Sequence, residues 1–316
     1  MRTYSLAPNL KLIDVAPPIS GFEKFISVYV LEAEKVALID IGPSVSVGNL
    51  VAGLVELNIN PIDISYIFIT HIHIDHAGGI GKAIKQMPNA TVIVHEKGKE
   101  HLTAPAKLWE GSQQALGELA LEYGPIEPVP HDRILVAKEG MRINLGEMEI
   151  EALSTPGHAS HHLSFMDKDE GRLFAGEAAG CYTEEIDTIR PATPSPFNLE
   201  QALTSLDKLI YLNAVSLYYA HFGYAAHAVD KLRCYKQQLI LWGSIIADHL
   251  EKGASWQDMY DEISKRDEAL VRINSLPSEQ RRREFYFIEN GITGFVDYFK
   301  KYGTECIKQY NREEIL

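Results

Sequence analysis

Residues 64–79 read Ile-Ser-Tyr-Ile-Phe-Ile-Thr-His-Ile-His-Ile-Asp-His-Ala-Gly-Gly, an apolar run that ends in three histidines and one aspartate. The branched and aromatic residues that come first predict a β-strand, in which side chains alternate between two faces. His71 and His73 would therefore leave the strand end on the same face, while Asp75 and His76 reach that place only if the chain bends. Imidazole and carboxylate groups are ligands for zinc, iron and manganese. The stretch favours a metal site at a strand end over a histidine-rich surface loop.

The composition is that of an ordinary globular protein. The chain has 316 residues, of which 46% are hydrophobic and 23% are charged, so it can bury a large core as one domain or two. No apolar run approaches the roughly 20 residues that span a bilayer. The N-terminal residues lack a continuous apolar stretch followed by a small-residue cleavage site. We therefore expect a mature cytoplasmic protein without a membrane partner.

Cysteine content and charge restrict the classes of site and partner. The three cysteines, Cys181, Cys234 and Cys306, show no Cys-x-x-Cys spacing, which argues against a disulfide framework or a thiolate zinc site. The formal net charge is −13, whereas a phosphate backbone is bound through a basic surface. The only basic cluster, residues 281–283, lies between two glutamates. We expect a small-molecule substrate and no nucleic-acid partner.

Short strands and helices alternate before residue 225. Two hairpins are predicted from pairs of apolar runs around a polar turn, at residues 25–31 with 36–41 and at residues 141–145 with 148–153. Helices are predicted at residues 47–57, 79–86 and 199–212. Asn198 is the expected N-cap of the last of these helices.

After about residue 226 the sequence becomes mostly helical. Apolar residues recur at helical spacing over 229–250, and Gly253 ends that run. Ser255, with Asp258 three positions later, predicts the capping box of the next helix. A further helix is expected to stop near Gly291 and to be followed by a separate apolar stripe. We expect these helices to pack on the rest of the chain, either as core or as the surface of a homodimer.

Four further motifs accompany the opening stretch in a fixed order. They are Asp40-Ile41-Gly42, Ser154-Thr155-Pro156-Gly157-His158, Leu173-Phe174-Ala175-Gly176-Glu177 and Tyr219-Ala220-His221-Phe222-Gly223. Together with the His-x-His-x-Asp-His run at residues 71–76, this order resembles the metal-binding pattern of the metallo-β-lactamase superfamily. The resemblance covers roughly residues 20–225, and several ordered motifs are more specific than any one of them.

This resemblance implies a fold. Members of the superfamily are α/β proteins with a four-layer αββα sandwich, in which two mixed β-sheets pack face to face between helices and the metals lie along one edge. Residues 1–225 would form this metallo-β-lactamase-like domain, and residues 226–316 would form a helical extension packed on the sandwich. Periodicity alone indicates only a mixture of α and β structure.

The resemblance also implies a set of metal ligands. Carried over to this chain, the pattern gives His71, His73 and His158 as the ligands of one metal. The ligands of the second metal would be Asp75, His76 and His221. Glu177 takes the bridging position, where most relatives carry aspartate, and this is the main departure from the family pattern. The longer side chain could bridge, bind one metal or stay outside the ligand shell. We expect two zinc ions, with iron or manganese as alternatives.

Three residues are expected to act on the substrate. Asp75 could orient the attacking water or carry a proton to the leaving group. Tyr182 and Tyr224 follow ligand motifs closely, and a phenol can donate a hydrogen bond to developing negative charge, although either could be a pocket-wall aromatic. The neighbours expected to orient ligand residues through hydrogen bonds are Asp40, His161 and His162. Residues 102–122 and the C-terminal helices are expected to shape the pocket.

The expected reaction is hydrolysis by a metal-activated water. Paired cations lower the pKa of a shared water from 15.7 to about 7 and polarise the substrate carbonyl. Asp75, where the superfamily's di-iron oxidoreductases usually carry glutamate, favours a hydrolase similar to the glyoxalase II and lactonase-like branch. The expected substrate is an ester, thioester, lactone or amide. The alternatives are a persulfide dioxygenase with a single iron and a nuclease of the ribonuclease Z kind.

Overall fold

The computed structural model describes residues 2–313, and their side chains up to residue 310. Fifteen strands lie within these residues: β1 (Thr3–Ala7), β2 (Leu10–Asp14), β3 (Ser27–Leu31), β4 (Val36–Ile39), β5 (Ile64–Phe68), β6 (Thr91–His95), β7 (Ile134–Ala137), β8 (Arg142–Asn144), β9 (Glu149–Ser154), β10 (Leu163–Asp167), β11 (Arg172–Gly176), β12 (Cys181–Thr183), β13 (Thr188–Arg190), β14 (Ser216–Tyr219) and β15 (Tyr224–Ala226).

Twelve α-helices lie within the same part of the chain: α1 (Val47–Glu56), α2 (Ile74–Ala77), α3 (Ile80–Gln86), α4 (Glu96–Thr103), α5 (Ala106–Leu116), α6 (Glu118–Tyr123), α7 (Leu199–Tyr211), α8 (Ala228–Glu251), α9 (Trp256–Arg266), α10 (Glu268–Ile273), α11 (Ser278–Tyr302) and α12 (Glu305–Glu313). The Asn198 side chain accepts a hydrogen bond from Gln201 N and so caps α7, as predicted. The capping box of Ser255 and Asp258 at the start of α9 is also confirmed.

The strands form two mixed sheets. β1 to β7 lie side by side in sequence order, antiparallel as far as β4 and parallel from β4 to β7. The second sheet has the order β15-β14-β11-β10-β9-β8, in which β11 and β14 are parallel and the other neighbours antiparallel. β12 and β13 form a separate antiparallel ribbon. Both predicted hairpins are confirmed, as β3–β4 and β8–β9.

Side-chain alternation along the strands defines the layers. Tyr29 on β3 packs between the two sheets against Phe174 of β11, with their ring centroids 5.3 Å apart. Its neighbours Val28 and Val30 point the other way, into a core shared with α1 and α3. Leu173, next to Phe174, lies in a third core shared with α7 and α8. The order helix, sheet, sheet, helix confirms the αββα sandwich.

The C-terminal helices extend this outer core. Trp242 of α8, Ile263 of α9 and Phe295 of α11 are buried in the same cluster as the outer face of the second sheet. The division of the chain near residue 226 into a domain and an extension stays a prediction. None of the helices in the described part of the chain is long and apolar enough to cross a membrane.

Helix α11 differs from the sequence prediction. It runs without a break from Ser278 to Tyr302, so the predicted stop near Gly291 is wrong. A Cβ at Gly291 would lie 3.1 Å from Thr193 Oγ1, and a Cβ at Gly294 would lie 1.8 Å from the Thr193 carbonyl oxygen. The two glycines therefore let the helix press against the chain at Thr193. This close packing outweighs the low intrinsic helix propensity of glycine.

We expect Gly294→Ala to lower the free energy of unfolding by about 1–3 kcal/mol, because the new methyl group has no space beside a backbone carbonyl. Equilibrium unfolding in urea measures this loss. Gly48→Ala is the matched control, since a Cβ at Gly48 in α1 would meet nothing within 4 Å and alanine is the better helix former. Equal stability of the two variants would contradict the packing argument.

Candidate metal centre

Asp40 fixes the turn that carries the first ligand motif. Its carboxylate accepts hydrogen bonds from Thr70 N at 2.9 Å and from Thr70 Oγ1 at 2.9 Å. Thr70 Oγ1 also lies 3.0 Å from His71 Nδ1. Because the threonine hydroxyl donates its hydrogen bond to Asp40, it accepts one from the Nδ1–H group of the imidazole. His71 is therefore held with Nε2 unprotonated.

The short helix α2 places the next three candidate ligands. His73 is its N-cap residue, and Asp75 and His76 lie in its single turn. The backbone carbonyl of His76 accepts hydrogen bonds from the N–H groups of Ile41 and Gly42, at 2.9 and 3.0 Å. The bend that the sequence analysis required is therefore one turn of helix, fixed to the loop after β4.

The second sheet provides the remaining candidates, His158, Glu177 and His221, from the segments after β9, β11 and β14. His158 Nδ1 donates a hydrogen bond to the carbonyl oxygen of Ala192 at 2.9 Å, and His221 Nδ1 donates to that of Phe25 at 3.2 Å. Metal-binding histidines usually donate their other ring N–H in this way. In both imidazoles, Nε2 is thus the ring nitrogen that is directed toward Glu177 and left for a cation.

Four side chains form the first group of candidate ligands: His71, His73, His158 and Glu177. His158 Nε2 lies 3.2 Å from His71 Nε2, 3.0 Å from His73 Nδ1 and 2.9 Å from Glu177 Oε2. Donors at about 2.0–2.1 Å from a tetrahedral zinc ion are roughly 3.3 Å apart. The spacing of this group fits one such ion.

Asp75, His76 and His221 form a second group. Asp75 Oδ2 lies 3.4 Å from His76 Nε2 and 3.7 Å from His221 Nε2. Asp40 Oδ2 is 3.5 Å from His76 Nδ1, and at these distances neither buried ring nitrogen of His76 has a hydrogen bond within the described part of the chain. Buried polar atoms without partners are costly, so this donor set also fits a cation.

Glu177 connects the two groups. Its Oε2 atom lies 3.1 Å from His71 Nε2 and 3.5 Å from His76 Nε2, and its Oε1 atom lies 3.2 Å from His221 Nε2. The extra methylene relative to aspartate therefore leaves the carboxylate inside the cluster, within reach of donors from both groups.

Burial and the neighbouring charges shift the pKa values of several of these side chains. Burial lowers the pKa of His73 to about 4. Burial opposes ionisation of Asp75, yet the charge on His76 brings its pKa down to about 2. Burial also opposes the charge on His76, but Asp75, Asp40 and Glu177 together raise its pKa well above the ordinary value. A buried position that attracts a proton this strongly is one where the surrounding acids favour a cation.

The imidazoles of His161 and His162 accept hydrogen bonds from the backbone of the segments that carry the ligands. His162 Nε2 accepts a hydrogen bond from Glu177 N at 3.1 Å, and its Nδ1 lies 2.9 Å from Thr155 Oγ1. His161 Nε2 accepts from Ile72 N at 3.1 Å, between the first two ligand histidines. Both imidazoles thus position the chain that carries the ligands.

The structure does not bring the two candidate tyrosine donors to the site. Tyr182 Oη donates to Asp187 Oδ1 at 2.8 Å, and its ring stacks on Tyr219 at 4.8 Å. Tyr224 is 40% exposed on the edge strand β15 and stacks on Tyr218. Neither tyrosine is among the residues that line the cavity beside the ligands, because closeness in sequence to a ligand does not set the direction in which a strand side chain points. Their role as donors stays a prediction.

A cavity of about 250 Å³ opens beside the two groups. The candidate ligands that line it are His73, Asp75, His158, Glu177 and His221. Its walls come from α5, from residues 192–196 and from Phe287 and Asn290 of α11, so the expected contribution of residues 102–122 and of the C-terminal helices is confirmed. Pockets for drug-sized ligands are about 300–1,000 Å³, and this cavity suits a small molecule.

Two polar residues of the cavity were missed from the sequence. Tyr123 and Arg190 line the cavity. Each has a buried atom, Tyr123 Oη and Arg190 Nη2, that makes no hydrogen bond to any residue described by the structure. The sequence did contain a signal for Arg190, which stands between the apolar residues Ile189 and Pro191. A charged residue that is buried among apolar neighbours requires a partner. Tyr123 carried no comparable signal, because aromatic residues at the ends of helices are common core residues.

The fold and the ordered ligand motifs define a metal-binding protein of the αββα class, and comparison with known proteins identifies it further. The chain belongs to the metallo-beta-lactamase superfamily, whose sequence profile matches residues 21–221.

Individual relatives cover different shares of the chain. The metallo-beta-lactamase fold-containing protein ST1585 from Sulfurisphaera tokodaii is 32% identical over 207 residues, which are 64% of this chain and 74% of that protein. A hydroxyacylglutathione hydrolase from Legionella pneumophila (strain Corby) is 28% identical over 125 residues, 39% of this chain. The match to that hydrolase spans only 37% of its length.

Solved structures support the fold. The crystal structure of ST1585 from Sulfolobus tokodaii has a TM-score of 0.72 at 24% identity and covers 92% of this chain and 99% of its own. That of the metallo-beta-lactamase family protein TTHA1429 from Thermus thermophilus has a TM-score of 0.69 at 23% identity and covers 95% of each chain. At these identities the likeness shows the fold alone.

We expect Asp40→Asn to weaken zinc binding about 10- to 100-fold, because the group beside His76 and Thr70 loses its charge. Asparagine tolerates the positive φ of 61° at this position. Calorimetric titration of metal-free protein gives the dissociation constant. Asp14→Asn is the control, since this buried carboxylate accepts backbone N–H groups of Ala16 and Lys24. Unchanged zinc affinity in Asp40→Asn would confine Asp40 to a structural role.

Proposed function

We propose that the protein is a metal-dependent hydrolase that uses a metal-activated water on the carbonyl carbon of a small ester, thioester, lactone or amide. The observation that carries the proposal is the position of the Glu177 carboxylate, with Oε2 toward His71 and Oε1 toward His221. A carboxylate in this position can be shared by two cations. Five imidazoles and two carboxylates favour zinc, and they also permit iron or manganese.

Bound divalent cations supply two things, a water ligand whose pKa is lowered to about 7 and polarisation of a carbonyl group. The chain's own residues do the rest. Asp75 lines the cavity, so its carboxylate can accept a proton from the attacking water and pass it to the leaving group. The apolar walls exclude bulk water, which strengthens every electrostatic interaction with the substrate.

The class of substrate rests on the cavity and on one relative. A cavity of about 250 Å³ with largely apolar walls holds a small molecule, whereas a nuclease needs an extended basic surface. The Legionella relative is named a hydroxyacylglutathione hydrolase, which supports an acyl compound. A cytoplasmic location and a homodimer through the C-terminal helices stay predictions.

Asp75→Ala and His76→Ala should each lower kcat/KM about 100-fold or more, because each removes a group that binds a cation or moves a proton. The assay is a panel of thioesters, lactones, esters and phosphodiesters with zinc-, manganese- or iron-loaded protein. His131→Ala, at an exposed position, is the control and should retain full activity. Oxygen uptake with glutathione persulfide, without hydrolysis of any substrate in the panel, would replace the hydrolase by the iron dioxygenase.

Metal stoichiometry tests the bridging position of Glu177. We expect two equivalents of zinc per chain after dialysis of the wild-type protein and one in Glu177→Ala, because the two remaining donor sets no longer share a negative charge. Elemental analysis measures both. Asp169→Ala is the control, since it removes an exposed carboxylate that belongs to none of the candidate ligand groups. Equal zinc content in Glu177→Ala and Asp169→Ala would contradict a bridging role.

A further inference from the structure

A buried cluster of three charged residues stands behind the cavity wall. Arg190 Nε donates to Glu284 Oε2, and Glu284 Oε1 accepts from Arg283 Nε at 2.8 Å and from Arg283 Nη2 at 2.7 Å. Arg190 is 3% exposed, Arg283 6% and Glu284 1%. Two arginines thus share one carboxylate, which leaves an excess of one positive charge. A buried charge of this kind is costly unless it has a partner.

Arg190 is the member of this cluster that lines the cavity. Its Nη1 atom donates to the carbonyl oxygen of Pro191 at 3.3 Å, and its guanidinium carbon lies 4.8 Å from the centroid of the Phe287 ring. These contacts and the ion pair with Glu284 hold the guanidinium in place. Nη2 alone has no partner among the residues that the structure describes.

Arg283 differs from Arg190 in its hydrogen bonds and in its position relative to the cavity. Its Nη1 atom donates to the carbonyl oxygen of Gly21, and its Nε and Nη2 atoms bond to Glu284. It does not belong to the cavity lining. The same charge cluster therefore contains one arginine that is satisfied within the protein and one that keeps a free donor.

Three hydroxyl groups of the cavity can be compared with Arg190. Ser112 Oγ donates to the carbonyl oxygen of Leu108 at 2.8 Å, and Thr193 Oγ1 donates to that of Gly291 at 3.0 Å. Tyr123 is 1% exposed, and its Oη atom, like Arg190 Nη2, has no hydrogen-bond partner among residues 2–310. Both free groups can donate hydrogen bonds, and guanidinium has no acceptor capacity. A cavity with free donors suits a ligand group rich in acceptors.

We propose that Arg190 binds a carboxylate of the substrate, so that the preferred substrates are acyl compounds in which a short apolar chain carries a carboxylate. One carboxylate matches the excess charge of the cluster, whereas a phosphate dianion exceeds it. Tyr123 provides a second donor to the same bound molecule. The reaction in this proposal rests on the proposed hydrolase function, whereas carboxylate binding by Arg190 does not.

Carboxylate binding is tested with glutarate and its neutral analogue glutaramide, by calorimetry on zinc-loaded protein. We expect Arg190→Gln to weaken glutarate binding about 10- to 100-fold and to leave glutaramide binding within about 3-fold, because a charge-assisted hydrogen bond is lost. Arg283→Gln is the matched control, since it removes the same charge from the same cluster but no free donor. A dissociation constant for glutarate that changes equally in both variants, or in neither, overturns the proposal.

Turnover gives a second measurement that does not depend on the fraction of folded protein. The ratio of kcat/KM for the glutaryl and pentanoyl thioesters of N-acetylcysteamine should fall about 10- to 100-fold in Arg190→Gln and less in Arg190→Lys, which keeps the charge. An unchanged ratio contradicts the proposal and leaves the hydrolase function standing. Glutarate binding through Arg190 without hydrolysis of either thioester would instead remove the hydrolase function alone.

Discussion

The structure depends on one electrostatic constraint, the packing of two carboxylates and five imidazoles, most of them buried, around a small shared space. Glu177 is 6% exposed, and His71 and His76 are fully buried. Burial raises the free energy of every charged form, yet His158 and His221 keep the pKa of Glu177 well below its usual range. Such a cluster is stable only with positive charge inside it, as a proton on an imidazole or as bound cations.

Both sheets are needed to hold this cluster in place. The first sheet delivers Asp40 and the helix turn after β5, while loops of the second sheet deliver the remaining ligands. The two are joined beside His221, where Ser27 N donates to the carbonyl oxygen of Ala220 at 3.0 Å and Tyr29 Oη donates to that of Tyr219 at 2.7 Å. His221 Nδ1 itself donates to Phe25, ahead of β3. Orientation of this imidazole therefore depends on the packing of the two sheets.

How much could be predicted from the sequence depends on how far apart in the chain the interacting residues lie. Turns and caps act within a few residues, so both hairpins and the caps at Asn198 and Ser255 were predicted, and the order of the motifs indicated the ligand histidines as one set. A helix end was wrongly predicted at Gly291, because the contact that requires this glycine is with Thr193, almost a hundred positions away. Arg190 was missed in the same way, since it ends strand β13 and its partner Glu284 lies 94 positions away in α11.

The two walls of the cavity are physically connected through aromatic rings of α11 and the β2–β3 loop. Phe287 stacks on Phe25 at 5.4 Å, Phe25 lies 4.3 Å from the His221 ring, and the guanidinium of Arg190 lies over Phe287. The sandwich thus provides the candidate cation ligands, and the C-terminal helix α11 supports Arg190 in the lining of the cavity. Because the candidate ligands among the described residues include no atom of α11, changes in this helix can alter substrate preference while the metal-binding residues stay the same.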